Sequence, residues 1–167
     1  MTTEPQSGYA KIFANRKLQD FWIRRVIAII IDAILVTIVV YIILSLIFLL
    51  VAVSTSTGFL LPWWTTYGLT FPFFSGLPLF LYSAFTESTY GYTLGKRIMY
   101  LKVVDKEGKK PSTNSAFLRN VTKIYGLALL LEVLISLAMP NRDPTHRYLD
   151  SYAGTTVVSE DGTLLRT

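Results

Sequence analysis

A long apolar run dominates the first third of the chain. From Val26 to Val53, 28 residues include Asp32 as the only charged side chain. At about 1.5 Å per helical residue this run is about 42 Å long, whereas the hydrocarbon core of a bilayer is about 30 Å thick. The apolar region of a cleaved signal peptide has only about 7 to 15 residues. The pattern therefore predicts a retained transmembrane helix over residues 24–53.

A second apolar block follows at residues 58–85, GFLLPWWTTYGLTFPFFSGLPLFLYSAF. It predicts a second transmembrane helix over residues 67–86. Pro72 and Pro78 each remove a backbone hydrogen bond, so we expect a kink near them. Two interpretations remain open, a broken helix that lines a cavity and a kink that improves packing.

The third apolar stretch, residues 115–139, has two parts. Its first part is amphipathic, with Arg119 and Lys123 four residues apart on one face, as in a helix that lies in the membrane interface. Its second part, Gly126 to Met139, is apolar except for Glu132 and is short for a membrane crossing. We expect an even number of crossings in the whole chain, with this second part re-entrant or packed obliquely.

Polar, turn-rich sequence separates these apolar parts. In residues 87–114 the alternating, β-branched run MYLKVVD predicts a strand over residues 99–104. The sequence VVDKEG at 103–108 is nearly repeated as VVSEDG at 157–162. An exposed strand leaves backbone groups unpaired, so we expect the two segments to pair with each other on one side of the membrane. The C-terminal segment, residues 140–167, would then lie on that side as well.

Composition supports one all-α membrane domain over residues 1–167, with two long transmembrane helices, an interfacial helix, a third short or re-entrant helix and a small strand pair. Hydrophobic residues make up 51% of the chain and charged residues 16%. No Lys or Arg occurs between residues 26 and 95, which by the positive-inside rule places the N-terminus and residues 87–114 in the cytoplasm. We expect a multi-pass protein of the cytoplasmic (inner) cell membrane. The net charge of +5 follows from these membrane flanks and requires no nucleic-acid partner.

The chain offers little catalytic chemistry. It has no cysteine, so thiol chemistry is excluded, and its one histidine, His146, is the only candidate for histidine acid–base chemistry. His146 and Asp150 are four residues apart near Asp143, which is weak support for a metal site. We predict no enzyme activity, no metal and no cofactor.

Asp32 is the most informative residue in the first apolar run. It lies seven residues after Arg25, on the same helical face, with a rise of about 10.5 Å between them, so direct contact would stretch both side chains. Ala28 lies between them and is small enough to let another segment approach. The candidate partners are Asp150, Asn120 and the backbone of TLGKR, residues 93–97.

Asp32 has two possible roles because a carboxylate in lipid is costly and should face protein or water. With a raised pKa it would carry a proton or a monovalent cation, and with a lowered pKa it would be a structural ion-pair member. Glu132 is either a second such site or a group that extends to the interface, and we favour the latter. Glu87 is expected to contact water or the GKR turn.

Several segments resemble the RDD family of small prokaryotic membrane proteins. They are RRVIAIIID (24–32), GYTLGKRIMYLKVVDKEGKKPS (91–112), AFLRN (116–120) and HRYLDSYAGTTVV (146–158). The resemblance implies that the family arginine is Arg25 and that its two aspartates are Asp32 and Asp150. Family members usually have His-Asp followed by arginine at the last element, whereas here Leu149 precedes Asp150, which leaves the role of His146 open.

For function, the resemblance implies transport, including cation/proton exchange, or a membrane domain that assembles with other proteins. Two hypotheses follow. The first is a proton-coupled transporter of small cations or another solute, acting as an oligomer because two or three helices cannot enclose a pathway. The second is a non-transporting scaffold or assembly factor that binds partner membrane proteins or lipid.

Overall fold

The chain is mostly helical, with one small sheet, as the sequence predicts. A computed structural model describes residues 8–54, 63–139 and 145–160. The elements are α1 (Gly8–Ala14), α2 (Arg16–Ser54), α3 (Trp63–Tyr90), α4 (Leu94–Ile98), β1 (Leu101–Asp105), α5 (Thr113–Asn120), a 3-10 helix (Val121–Ile124), α6 (Gly126–Ala138), α7 (Tyr148–Tyr152) and β2 (Thr155–Ser159).

Helix α2 contains the first predicted span. Its stretch Arg16–Ile47 is long enough to cross a membrane and contains an 18-residue window with a mean hydropathy of 3.0, which is apolar enough to do so. Large apolar side chains along its second half, such as Ile42 and Leu46, are exposed, as expected for a helix that faces lipid. Helix α3 contains the second predicted span without a break in helix, but the side chain of Pro72 lies outside the described part of the chain, so the predicted kink stays a prediction.

The predicted strand pairing is confirmed. Strands β1 and β2 are antiparallel, and Val103 lies opposite Val157. The first strand starts at Leu101 rather than at residue 99 because Tyr100 has a φ of 55°, a left-handed conformation that a strand does not allow. Leu101, Val103 and Val157 pack on Phe21 and Trp22, so the sheet is held against the first turns of α2.

The amphipathic segment is oriented differently from an interfacial helix. Such a helix turns its charged face to water. Here Arg119 and Lys123 are buried, whereas Leu118 and Val121 are exposed. The reason is electrostatic, because Arg119 lies within ion-pair distance of Glu87. Ser112 caps the start of this helix by accepting a hydrogen bond from the Ser115 N–H.

Candidate functional site

Asp32 is buried against the TLGKR turn rather than against Arg25. Its Oδ1 accepts a hydrogen bond from the Gly95 N–H at 2.8 Å, and its Oδ2 accepts one from the Thr93 hydroxyl at 2.5 Å. Tyr82 adds a longer contact, with its hydroxyl 3.4 Å from Oδ1. The structure therefore brings Asp32 to the TLGKR backbone, one of the three partners considered from the sequence.

Thr93 connects Asp32 to the start of α4. It is the N-cap residue of this helix, and its hydroxyl oxygen accepts a hydrogen bond from the Lys96 N–H at 3.3 Å. The same hydroxyl donates to Asp32. The Asp32 carboxylate thus holds both the N-cap residue Thr93 and the first turn of α4 against α2.

Ala28 permits this approach, as its position between Arg25 and Asp32 indicates. It is fully buried, and Gly95 lies directly on it. A Cβ atom at Gly95 would be 2.2 Å from the Ala28 carbonyl oxygen. Only glycine fits at this point of contact between the turn and α2.

Arg25 is directed away from Asp32 and toward the C-terminal part of the chain. Its Nη2 donates to Asp150 Oδ2 at 2.5 Å, and its Nη1 donates to the Thr145 carbonyl oxygen at 2.7 Å. The guanidinium carbon also lies 5.1 Å from the centre of the Trp22 ring, within cation–π range. Arg25 and Asp150 therefore form a direct ion pair between residues 125 positions apart in the chain.

Asp150 is the centre of three arginines. Besides Arg25, Arg119 Nη2 lies 2.9 Å and Arg147 Nη2 lies 3.2 Å from its Oδ1. Burial alone would raise the pKa of Asp150, but the charges of Arg119, Arg147 and Arg25 hold this pKa well below its usual range. Asp150 is therefore a permanent anion at neutral pH.

Glu87 forms a second anionic centre. Its carboxylate pairs with Lys96 and with Arg119, whose Nε is 3.3 Å from Oε2. Asn120 donates a hydrogen bond to the same oxygen at 2.8 Å. It is therefore a partner of Glu87, whereas the sequence suggests it as a partner for Arg25 and Asp32. Of the two contacts expected for Glu87, the structure provides the one to the GKR turn. Arg119 joins the two centres because it pairs with both Glu87 and Asp150.

Two buried lysines, Lys96 and Lys123, are not among the candidate site residues that the sequence suggests. Burial lowers the pKa of Lys96 to about 7, although Glu87 raises it, and burial lowers the pKa of Lys123 to about 8. The Lys123 ammonium donates to the Ser83 hydroxyl at 2.8 Å. The spacing of Arg119 and Lys123 places them on one face, but only the folded chain shows that this face points inward.

Glu132 is buried, so the interpretation that it extends to the membrane interface is wrong. It accepts hydrogen bonds from the Thr122 hydroxyl at 2.7 Å and from the Leu149 N–H at 3.0 Å. Arg147 Nη1 lies 3.7 Å from its carboxylate. These polar groups make burial of the carboxylate cheaper than its exposure to lipid.

His146 is half-buried, and its Nδ1 lies 3.1 Å from the Thr145 hydroxyl. Asp150, considered with it as a metal ligand, is instead surrounded by arginines. Within residues 8–54, 63–139 and 145–160 no three histidine or carboxylate side chains are grouped closely enough to hold a metal ion. Asp143 lies outside those ranges.

The buried charges together connect the long helices α2 and α3 to the rest of the chain. In the described residues they comprise five basic side chains and four carboxylates: Arg25, Lys96, Arg119, Lys123, Arg147, Asp32, Glu87, Glu132 and Asp150. A buried network of this kind fixes the relative position of the elements that contribute to it, and it is costly to break.

Comparison with known proteins gives one positive result. A sequence model described as the RDD family matches residues 20–154, which contain all nine of these buried charges. No curated protein and no solved structure matches the chain.

Proposed function

The chain belongs to the RDD family, and from this premise we propose that it is a membrane scaffold. The scaffold consists of two membrane helices, α2 and α3, and a cytoplasmic cap, residues 91–139 and 145–160. The buried charges lock the cap onto α2 and α3. The cap is then presented in a fixed position to partner membrane proteins or to lipid.

The observation that carries this proposal is the hydrogen bonding of Asp32. Its two oxygens receive short hydrogen bonds from Gly95 and Thr93. Both donors belong to the cap, and both are buried. A carboxylate held in this way supports an anchoring role, since a transported ion would have to displace these donors at each cycle.

The proposed topology has two crossings of the cell membrane, with both termini in the cytoplasm. The pairing of β1 with β2 supports it, because paired strands must lie on one side of the membrane. The absence of Lys and Arg from residues 26–95 supports the same arrangement.

Proton-coupled transport of a small cation by an oligomer is the second candidate, and the buried lysines favour it. Lys96 and Lys123 have pKa values of about 7 and 8, close to physiological pH, beside Glu87. Groups of this kind can exchange protons at neutral pH. They would form the route of the proton, with Asp32 as the site of the cation.

The test compares wild type with Asp32→Asn and Asp32→Leu in proteoliposomes. If the protein is a scaffold, the wild type moves neither sodium, potassium nor protons under an imposed gradient. The Asp32→Asn variant is then nearly as stable as the wild type. Leu leaves the buried Gly95 N–H and Thr93 hydroxyl without an acceptor, at a cost of about 1–3 kcal/mol each. Wild-type cation flux that a folded Asn variant loses would contradict the scaffold and support transport.

A further inference from the structure

Helix α6 has its polar side chains on the inside and its large apolar side chains on the outside. Glu132 and Ser136, four residues apart, are buried. The opposite face is apolar and exposed, and we call it the leucine face: Leu127, Leu130, Leu131, Leu134 and Ile135. A helix on the surface of a protein in water has the reverse pattern. The medium or surface that contacts the leucine face is therefore apolar.

Polar contacts fasten α6 to the rest of the cap along its length. The Glu132 carboxylate accepts hydrogen bonds from the Thr122 hydroxyl and from the Leu149 N–H. One turn further on, the Ser136 hydroxyl donates to the His146 carbonyl oxygen at 2.8 Å. These partners precede and follow α6 in the chain, so α6 lies along the cap and does not extend away from it.

The packing of α6 also gives its level relative to α2. Val133 packs against the core cluster that contains Phe21 and Trp22, in the first two turns of α2. The basic residues Arg16 and Lys17 lie in these same turns, and Arg24 follows in the next turn. Basic residues at the end of an apolar helix mark the membrane–water boundary. Helix α6 is therefore at the boundary end of α2.

The length of α6 agrees with this level. Its 13 residues extend about 20 Å, which is less than the hydrocarbon thickness of about 30 Å. Tyr125, just before the helix, is exposed, and tyrosine is typical of the headgroup level. The β1–β2 pairing places the residues before and after α6 on one side of the membrane.

We propose that α6 lies within the cytoplasmic leaflet without crossing the membrane, and that lipid acyl chains cover its leucine face. The face has no polar or charged side chain that would direct a protein partner, and its residues are aliphatic, like the exposed surface of α2. The cap is thereby held to the membrane at a second place, apart from its attachment to Asp32. This inference is independent of whether the protein is a scaffold or a transporter.

The absence of cysteine from the sequence allows a direct test with single cysteines carrying a nitroxide label. The positions are Leu127 and Leu134, which are seven residues apart on the leucine face, in the full chain in lipid nanodiscs. Ile34, which is exposed and lies ten residues (about 15 Å) past Arg24 in α2, is the control for the membrane interior, and the exposed Lys109 is the control for water. Thermal unfolding of each labelled protein confirms that it is folded.

The measured quantity is the accessibility of each label to oxygen, which partitions into lipid, and to a water-soluble nickel chelate. We expect lipid-like accessibility at both positions, at nearly equal depths that are shallower than the depth at Ile34. In a helix that stands upright and crosses, the depths of Leu127 and Leu134 would differ by about 10 Å. Three results overturn the proposal: that depth difference, chelate access like that at Lys109, or protection from both reagents, which indicates a protein partner.

Discussion

The backbone of Gly95 lies on Ala28 so closely that a Cβ at Gly95 would be 2.2 Å from the Ala28 carbonyl oxygen. This contact brings the Gly95 N–H to 2.8 Å from Asp32 Oδ1. Asp32 in α2 and Gly95 in the TLGKR turn therefore act as one attachment point. Each is effective only when the other is in place.

Gly95→Ala should detach the TLGKR turn from α2. The added methyl group meets backbone atoms, which cannot move aside as a flexible side chain can, so we expect a loss of about 1–3 kcal/mol in the free energy of unfolding. Denaturant unfolding of the purified protein measures it. The control is Gly126→Ala, because a Cβ at Gly126 meets nothing within 4 Å. Equal stability of the two variants would contradict the close contact.

Asp150→Asn should destabilise the protein strongly, since it leaves Arg25, Arg119 and Arg147 with one fewer buried anion. Removing one partner from a buried ion pair costs about 3–5 kcal/mol. Glu107→Gln is the control because Glu107 pairs with Lys109 on the exposed surface, where a pair contributes about 1 kcal/mol or less. The two variants are compared by thermal unfolding, and a similar shift in both would contradict the role assigned to Asp150.

Lys123 should make stability rise with pH in the alkaline range. Its pKa is about 8 in the folded protein and 10.5 as the ordinary value, so the unfolded chain binds more protons between these pH values. The free energy of unfolding therefore increases from pH 8 to 10.5, by at most about 1.4 kcal/mol per pH unit from this group. Denaturant unfolding at several pH values should show a smaller slope in Lys123→Met than in wild type. An unchanged slope would mean that Lys123 is not buried as described.

Single cysteines should report the side of the membrane on which each segment lies. The positions are Ser7, Ser56, Ser112 and Ser159, treated with a membrane-impermeant thiol reagent on intact cells. With two crossings only the cysteine at Ser56 is labelled, and lysed cells provide the control for reactivity at the other three. Labelling at Ser159 but not at Ser112 would place the two strands on opposite sides of the membrane and is incompatible with the β1–β2 pair.

The sequence predicts those parts of the structure that depend on local pattern. Three such features can be read directly from the sequence: the apolar length of α2, the Val-Val repeat that pairs β1 with β2, and the small size of Ala28. The family resemblance also indicates which aspartates matter. Asp150 was considered as a partner for the space between Arg25 and Asp32, and it is the partner of Arg25.

The sequence does not show which face of a segment is buried when the solvent on the other side is lipid. Arg119 and Lys123 would face water in an interfacial helix, yet they are buried because carboxylates from α3 and α7 compensate their charge. Glu132 is buried for the same reason, through Arg147 and the Leu149 N–H. Such compensation of buried charges depends on residues far apart in the chain, so no local sequence pattern predicts it.

Hydrogen exchange in the TLGKR turn tests the central claim, that Asp32 holds the cap on α2, most directly. The amides of Gly95, Lys96 and Arg97 donate to Asp32, to the Thr93 hydroxyl and to the Thr93 carbonyl oxygen, respectively. Mass spectrometry should find residues 93–97 protected in wild type, nearly as protected in Asp32→Asn, and at least ten times faster to exchange in Asp32→Leu. The β1–β2 pair serves as the internal reference. Exchange of residues 93–97 at the same rate in wild type and in Asp32→Leu would contradict the account.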